Sequence, residues 1–242
     1  MRPLFILALL LSLVAPAQAA TDATLKRVLE LAGVQLLCEQ TAPLLQRGMS
    51  AEQQKSLGKA FAAAPLCDDL AKRVALKVKR EQLEAALKLL DSPLAQHFTA
   101  AERAVGEDGG LAIYRQQLQE RPPLGKRLDL VRRLDKAAHT TELATLLRYE
   151  VGKTQALLTL RARGGDLDEK ALAEQTAAQL APLRASSASG VEAFMLYAYR
   201  QTPSDKLGEY AALYEQAPLR AVLEASTKAL PEVFAARRAK LK

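Results

Sequence analysis

The sequence predicts an all-α protein, a multi-helix array of amphipathic helices, and three observations carry that prediction. The chain is rich in Ala, Leu, Gln, Glu, Lys and Arg, the side chains that lose least on entering a helix. Apolar residues recur at three- and four-residue spacing along most of its length. No run of β-branched residues alternates with polar ones, so nothing reads as a sheet.

Taken in order, residues 1–19 read as a secretory signal peptide. Arg2 supplies the positive start, Leu4 to Val14 the apolar run, and Ala17-Gln18-Ala19 a small-residue cleavage site. The run is too short for a permanent anchor, and no later segment reads as transmembrane. The expected location is therefore the periplasm or the outside of the cell. Leu25, Val28, Leu29, Ala32 and Leu36 then share one helical face. Ser50 to Gln53 fits a capping box, with Leu57 and Phe61 on the face that follows. Leu66, Leu70, Val74, Val78, Leu83, Leu87 and Leu90 form a stripe that predicts one long helix from Leu66 to Leu90.

Proline and glycine supply the punctuation. Pro43, Pro65, Pro93, Pro123, Pro182 and Pro218 each precede Leu. Proline is tolerated in a first helical turn, where its missing N–H has no intrahelical partner, so each Pro-Leu marks a helix start. Pro182 is also compatible with a kink. Residues 106–110 (GEDGG) and Gly164-Gly165-Asp166 are breaks, with a cap for the next helix in residues 166–169. Residues 186–190 (SSASG) read as a loop. Beyond it lies an aromatic helical hairpin from Phe194 to Leu223, holding Phe194, Tyr197, Tyr199, Tyr210 and Tyr214. Its turn rests on Pro203, with Ser204 or Asp205 as the helix cap.

Residues 82–98 echo residues 205–223: an amphipathic helix, a short joint ending in Pro-Leu, and a second helix. This predicts two related helical halves, 20–120 and 121–242, divided near Arg121-Pro122-Pro123. A chance likeness between two Leu- and Ala-rich hairpins is the alternative.

Cys38 and Cys67 are the two cysteines. In an exported chain they can pair, and export favours the bridge over two separate buried thiols. Their separation excludes a Cys-x-x-Cys redox motif.

Chemistry is harder to find. His139 and Glu142 share a helical face, but two ligands do not make a stable metal site. Ser56-Leu57-Gly58-Lys59 matches a short Ser-x-x-Lys pattern without its companion motifs. Gly152-Lys153-Thr154 resembles the end of a phosphate loop, but Leu147 stands where the earlier glycine is required. No catalytic, metal or cofactor-binding set is predicted, and no cofactor.

Charge is the better lead. The chain carries 34 Lys+Arg against 27 Asp+Glu, a formal net charge of +7. Loss of the leader would remove Arg2 alone and leave about +6. Lys72, Arg73, Lys77, Lys79 and Arg80 cluster in one stretch, Arg132 and Arg133 in another, and Arg237-Arg238 with Lys240 and Lys242 at the end. These are candidate contacts to anionic envelope components, or else solvated helix faces. Nucleic acid is not an expected partner outside the cytoplasm, and no recognition motif is present.

The stretch Leu89-Leu90-Asp91-Ser92-Pro93-Leu94, and more loosely Tyr214 to Leu219, resembles a family of exported bacterial all-helical proteins named domain of unknown function 2059. The resemblance covers a few dozen residues around each joint. Ala95 and Arg220 stand where that family usually has glycine. It implies export and helicity, and no activity. The functional expectation is a non-catalytic interaction module of the cell envelope that binds an envelope protein through grooves between helices. The alternatives are a binder of anionic surfaces and, further off, an envelope hydrolase.

Overall fold

A left-handed residue divides the first helical pair, and the same device recurs further along the chain, at His139. Gly33, at φ +74°, separates α1 (Val14–Leu31) from α2 (Val34–Leu45). Glycine has no Cβ to resist this conformation. The computed structural model describes residues 14–105, 109–121, 123 and 125–241. Residues 1–13, most of the predicted leader, lie outside that set, and α1 runs unbroken through the expected cleavage point after Ala19.

Next come α3 (Ala51–Ala60), α4 (Ala63–Ala75), α5 (Arg80–Leu90), α6 (Pro93–Arg103) and α7 (Gly110–Glu120). They are followed by α8 (Gly125–Ala138), α9 (Thr140–Arg161), α10 (Glu169–Thr176), α11 (Leu180–Ala198), α12 (Ser204–Tyr214) and α13 (Ala217–Arg238). No strand occurs among the described residues, so the protein is all-α. No described helix is long and apolar enough to cross a membrane.

Most starts follow the expected chemistry. Ser50 and Gln53 close the capping box on α3 in both directions. Ser92 caps α6 through Ala95 N–H, with Pro93 at the first helical position. Asp168 caps α10 through Ala171 N–H. Pro65 and Pro182 fall in the first turns of α4 and α11, and Pro218 in that of α13.

Five local expectations are corrected. The predicted helix from Leu66 to Leu90 is two helices, because residues 76–79 turn and Lys79 adopts an extended backbone whose N–H is taken by the Gln82 side chain. Leu76 in that turn is 86% exposed, while Val78, the member of the apolar stripe there, stays buried. Residues 186–190 are not a loop but part of α11, where Ser186 and Ser187 accept hydrogen bonds from Arg148. Pro43 lies inside α2 rather than opening a helix. Neither Ser204 nor Asp205 caps α12, since Pro203 holds the cap position and no side chain bonds there. Leu36 is exposed, because Gly33 ends the first helix before the stripe reaches it.

The packing order recurs along the chain. α1 lies on α5, α2 on α4, and α1 on α2. Likewise α8 lies on α12, α9 on α11, and α8 on α9. His139, at φ +53°, stands between α8 and α9 as Gly33 stands between α1 and α2. The last helices are exchanged: α13 packs on α4 and α5, while α6 packs on α11 and α12. Buried side chains coincide at one fixed spacing, with Leu83, Ala86, Leu90, Ala95 and Phe98 matching Leu207, Tyr210, Tyr214, Leu219 and Val222. Two ion pairs coincide as well. Lys26–Asp68 corresponds to Arg132–Glu192, and Arg27–Asp91 to Arg133–Glu215. One connected apolar cluster runs from Leu25 to Leu241 through helices on both sides of Arg121.

Candidate functional site

Cys38 and Cys67 form a disulfide that joins α2 to α4, with Cα atoms 5.7 Å apart. Cys38 is fully buried and Cys67 is partly open. The bridge forms one wall of a groove of about 310 Å³ between α1, α2 and the start of α4. Small residues make the floor: Ala63, Ala64 and Ala71, with Leu29 beside them. The rim is charged. Lys26 pairs with Asp68 at 2.8 Å, and Gln35 donates to Glu39 at 2.9 Å across one turn of α2. Asp68, and more weakly Asp22, hold the Lys26 ammonium above its ordinary range. An apolar floor with a few polar groups at its edge is the usual composition of a binding groove.

A second hollow of about 400 Å³ lies between α1 and α6. Arg27, Asp91, Gln96, Thr99 and Arg103 line it together with Leu31, Leu90, Ala100 and Ala104, so its lining is mixed. Neither hollow contains histidine, and the cysteine in the first is oxidised.

The expected anionic-surface contacts are largely engaged within the chain. Arg73 and Lys77 both reach Glu232 on α13, at 3.2 and 3.0 Å. Arg80 pairs with Glu84, Arg132 with Glu192, and Arg133 with both oxygens of Glu215 at 2.7 Å. The side-chain ammonium groups of Lys72 and Lys79 form no ion pair among the described residues. They flank the turn that carries the exposed Leu76.

At the C-terminus the basic run divides. Arg237 pairs with Asp69. Arg238 is not a surface cation: it is 1% exposed and lies in a charge-neutral cluster with Glu150, Lys153 and Glu169. Its Nη2 donates to Glu150 at 2.5 Å and Glu169 at 2.6 Å, and its Nη1 to Thr154 at 3.2 Å. Lys153 reaches Glu150 at 3.0 Å and Glu169 at 2.8 Å. Burial pushes the Glu169 carboxyl up, but Arg238 and Lys153 outweigh it and hold the group below the usual range. Gly152-Lys153-Thr154 is thus helix interior, with its lysine neutralised. The sequence reading missed this cluster because Arg238 sits among exposed-looking cations. The missed signal was the spacing of Glu150, Lys153 and Thr154 on one helical face.

The aromatic hairpin draws in two residues from α6. Phe98 stacks on Tyr210, with ring centres 4.0 Å apart, and meets Tyr199 edge-on. Tyr199 donates its hydroxyl proton to the Glu102 carboxyl. Burial drives that carboxyl above its ordinary value, against the hydrogen bonds of Tyr199 and Tyr210 and the charge of Arg103. Arg127 donates to the Tyr199 carbonyl at 2.5 Å and to Ser204 at 3.2 Å, which fixes the turn. Displaced acidities often mark active sites. Here the contacts of Phe98 and Glu102 with Tyr199 and Tyr210 join α6 to the hairpin.

His139 meets Glu142 at 2.6 Å. Among the described residues no three or more His, Cys, Asp or Glu side chains are placed to hold a metal. Ser56 is exposed on α3. Comparison with protein-family models, curated proteins and solved structures finds no match for this chain.

Proposed function

We propose that this is an exported, non-catalytic helical protein of the bacterial envelope that binds a partner protein in the groove between α1, α2 and α4. The single observation that carries the reading is that groove, an alanine floor with a charged rim beside a disulfide. A floor of small side chains leaves room for the side chains of an incoming helix. Export is supported by the leader-like residues 1–19 and by the disulfide, which persists in oxidising compartments. The resemblance to the exported family of unknown function points the same way.

The test is site-directed photo-crosslinking in cells. A crosslinking residue at Gln35 should give a discrete protein adduct, and one at Ser56 on α3 should not. Ala71→Met, which fills the floor, should abolish the adduct. Equal labelling from both positions, or an adduct that survives Ala71→Met, removes the support for a groove partner.

A second reading, binding to anionic envelope surfaces, rests on the turn between α4 and α5. Leu76 stands 86% exposed between Lys72 and Lys79. On this reading the protein co-sediments with anionic vesicles at low salt, and Leu76→Ser weakens the association. Binding that does not change with salt refutes it.

A further inference from the structure

The helices that frame the groove have counterparts in the second part of the chain, and the two sets differ in the residues at several corresponding positions. The packing of α1, α2 and α4 repeats in α8, α9 and α11, and the rim pair Lys26–Asp68 repeats as Arg132–Glu192. The floor repeats only in part, with Ala64 corresponding to Ala188 and Ala63 to Ser187. Ala71 corresponds to Met195, which is buried, and Cys67 to Val191. Leu29 corresponds to Asp135, whose carboxylate accepts from both the N–H and the hydroxyl of Thr141, each at 2.7 Å. The second part therefore carries a buried, long and flexible thioether where the first carries Ala71. The first part keeps Ala71 at that position, lining an open groove.

The rim supplies the other half of the argument. Lys26 is the one cation lining the groove, and Asp68 engages it. Asp22 acts on the same lysine, and Glu39 stands exposed on the facing helix. The edge is thus acidic on a protein that is basic as a whole.

We propose that the groove takes an amphipathic helix that inserts unbranched or γ-branched apolar side chains, of the Met and Leu kind, against Ala64 and Ala71 and sets Lys or Arg beside Glu39 and Asp68. Met195 is the apolar side chain that the second part buries at the position of Ala71. Flexible thioether and leucine side chains suit an irregular floor. Cations on the partner complement the acidic edge and are steered to it. The inference rests on the groove reading above and adds the chemistry of the occupant.

The test uses the full chain and two synthetic helical peptides of about 18 residues, long enough to hold a helix on binding. Both carry the same Leu and Met face; one is flanked by Lys and the other by Glu. The Lys-flanked peptide should bind more tightly by about tenfold at moderate salt, read by calorimetry. It should perturb the NMR signals of Ala63, Ala64 and Ala71. Ala71→Met should abolish binding while keeping the helical circular dichroism signal. Glu39→Lys, an exposed change that leaves the floor intact, should weaken the Lys-flanked peptide and strengthen the other.

Tighter binding of the Glu-flanked peptide, or binding unaffected by both substitutions, overturns the proposal. If neither peptide binds while the Gln35 crosslink persists and is lost in Ala71→Met, the occupant's chemistry is wrong and the groove reading stands. If the crosslink is absent as well, both fall.

Discussion

Replacing Arg238 by Met tests whether the C-terminal helix is held by charge at its centre. The guanidinium is 1% exposed and Glu150 is equally buried, so removing the cation leaves a carboxylate in the interior. Removing one partner of a buried ion pair typically costs about 3–5 kcal/mol. Here Lys153 remains 3.0 Å from Glu150 and 2.8 Å from Glu169, and can neutralise part of the charge. The expected cost is therefore the low end, about 3 kcal/mol, or roughly 6–12 °C in Tm for a chain of this size. The assay is reversible urea unfolding followed by circular dichroism at neutral pH.

A second arm makes the reasoning specific. Adding Glu150→Gln removes the uncompensated charge, so Arg238→Met/Glu150→Gln should recover at least about 1 kcal/mol relative to the sum of the single changes. The gap between wild type and Arg238→Met should also close in acid. Glu169 is held below its ordinary value, so its contribution is present above pH 4.5 and is lost as the pH falls through the lowered value. An Arg238→Met protein within about 0.5 kcal/mol of wild type, the range of ordinary surface substitutions, would refute the buried network.

Three further outcomes are expected. Glu102 has the opposite sign: its folded-state acidity is weakened, so its favourable contribution is complete below pH 4.5 and is lost as the pH rises through the raised value. Glu102→Gln should therefore stabilise the protein at neutral pH, and the gain should vanish on acidification; a gain that does not vary with pH would exclude this cause. Reducing the Cys38–Cys67 bridge, which closes a loop of 29 residues, should cost about 3–4 kcal/mol in denaturant unfolding, and the Cys38→Ser/Cys67→Ser protein should be insensitive to reductant. His139→Gly should raise stability by about 0.5–1 kcal/mol, because the left-handed backbone at φ +53° strains a residue with a Cβ. A loss instead would mean that the His139–Glu142 contact outweighs the strain.

Helix content and most helix starts could be read from the sequence because they depend on neighbouring residues. The box at Ser50 and Gln53, the cap at Asp168 and the proline at position 93 each work within a single turn. The errors came where distant contacts overrode local preference. Ser186 and Ser187 look like loop residues until Arg148 on another helix supplies their hydrogen bonds. The stripe from Leu66 to Leu90 keeps its period across residues 76–79, but the chain turns there and Leu76 points to solvent. The candidate groove was out of reach altogether. Ala63, Ala64 and Ala71 are ordinary helix formers in sequence, and only the meeting of α1, α2 and α4 makes a hollow of them.

The exchange of last helices bears on how that groove is held open. α13 is one unbroken helix of 22 residues that lies along α4 and α5, while the matching stretch of the first part is α6, a break, and α7. Arg237 and Glu232 on α13 tie to Asp69 and Arg73 on the face of α4 away from the groove, and to Lys77 in the turn that follows it. The disulfide fixes the same helix to α2 from the other side. α4 is therefore clamped from two directions without any large side chain entering the groove. A floor of alanines would ordinarily let neighbouring helices close the space, since an unfilled apolar hollow costs packing energy. Holding α4 from outside separates the position of the helix from the size of its side chains. In the second part of the chain no disulfide tethers α11 to α9, and Met195 fills the corresponding position.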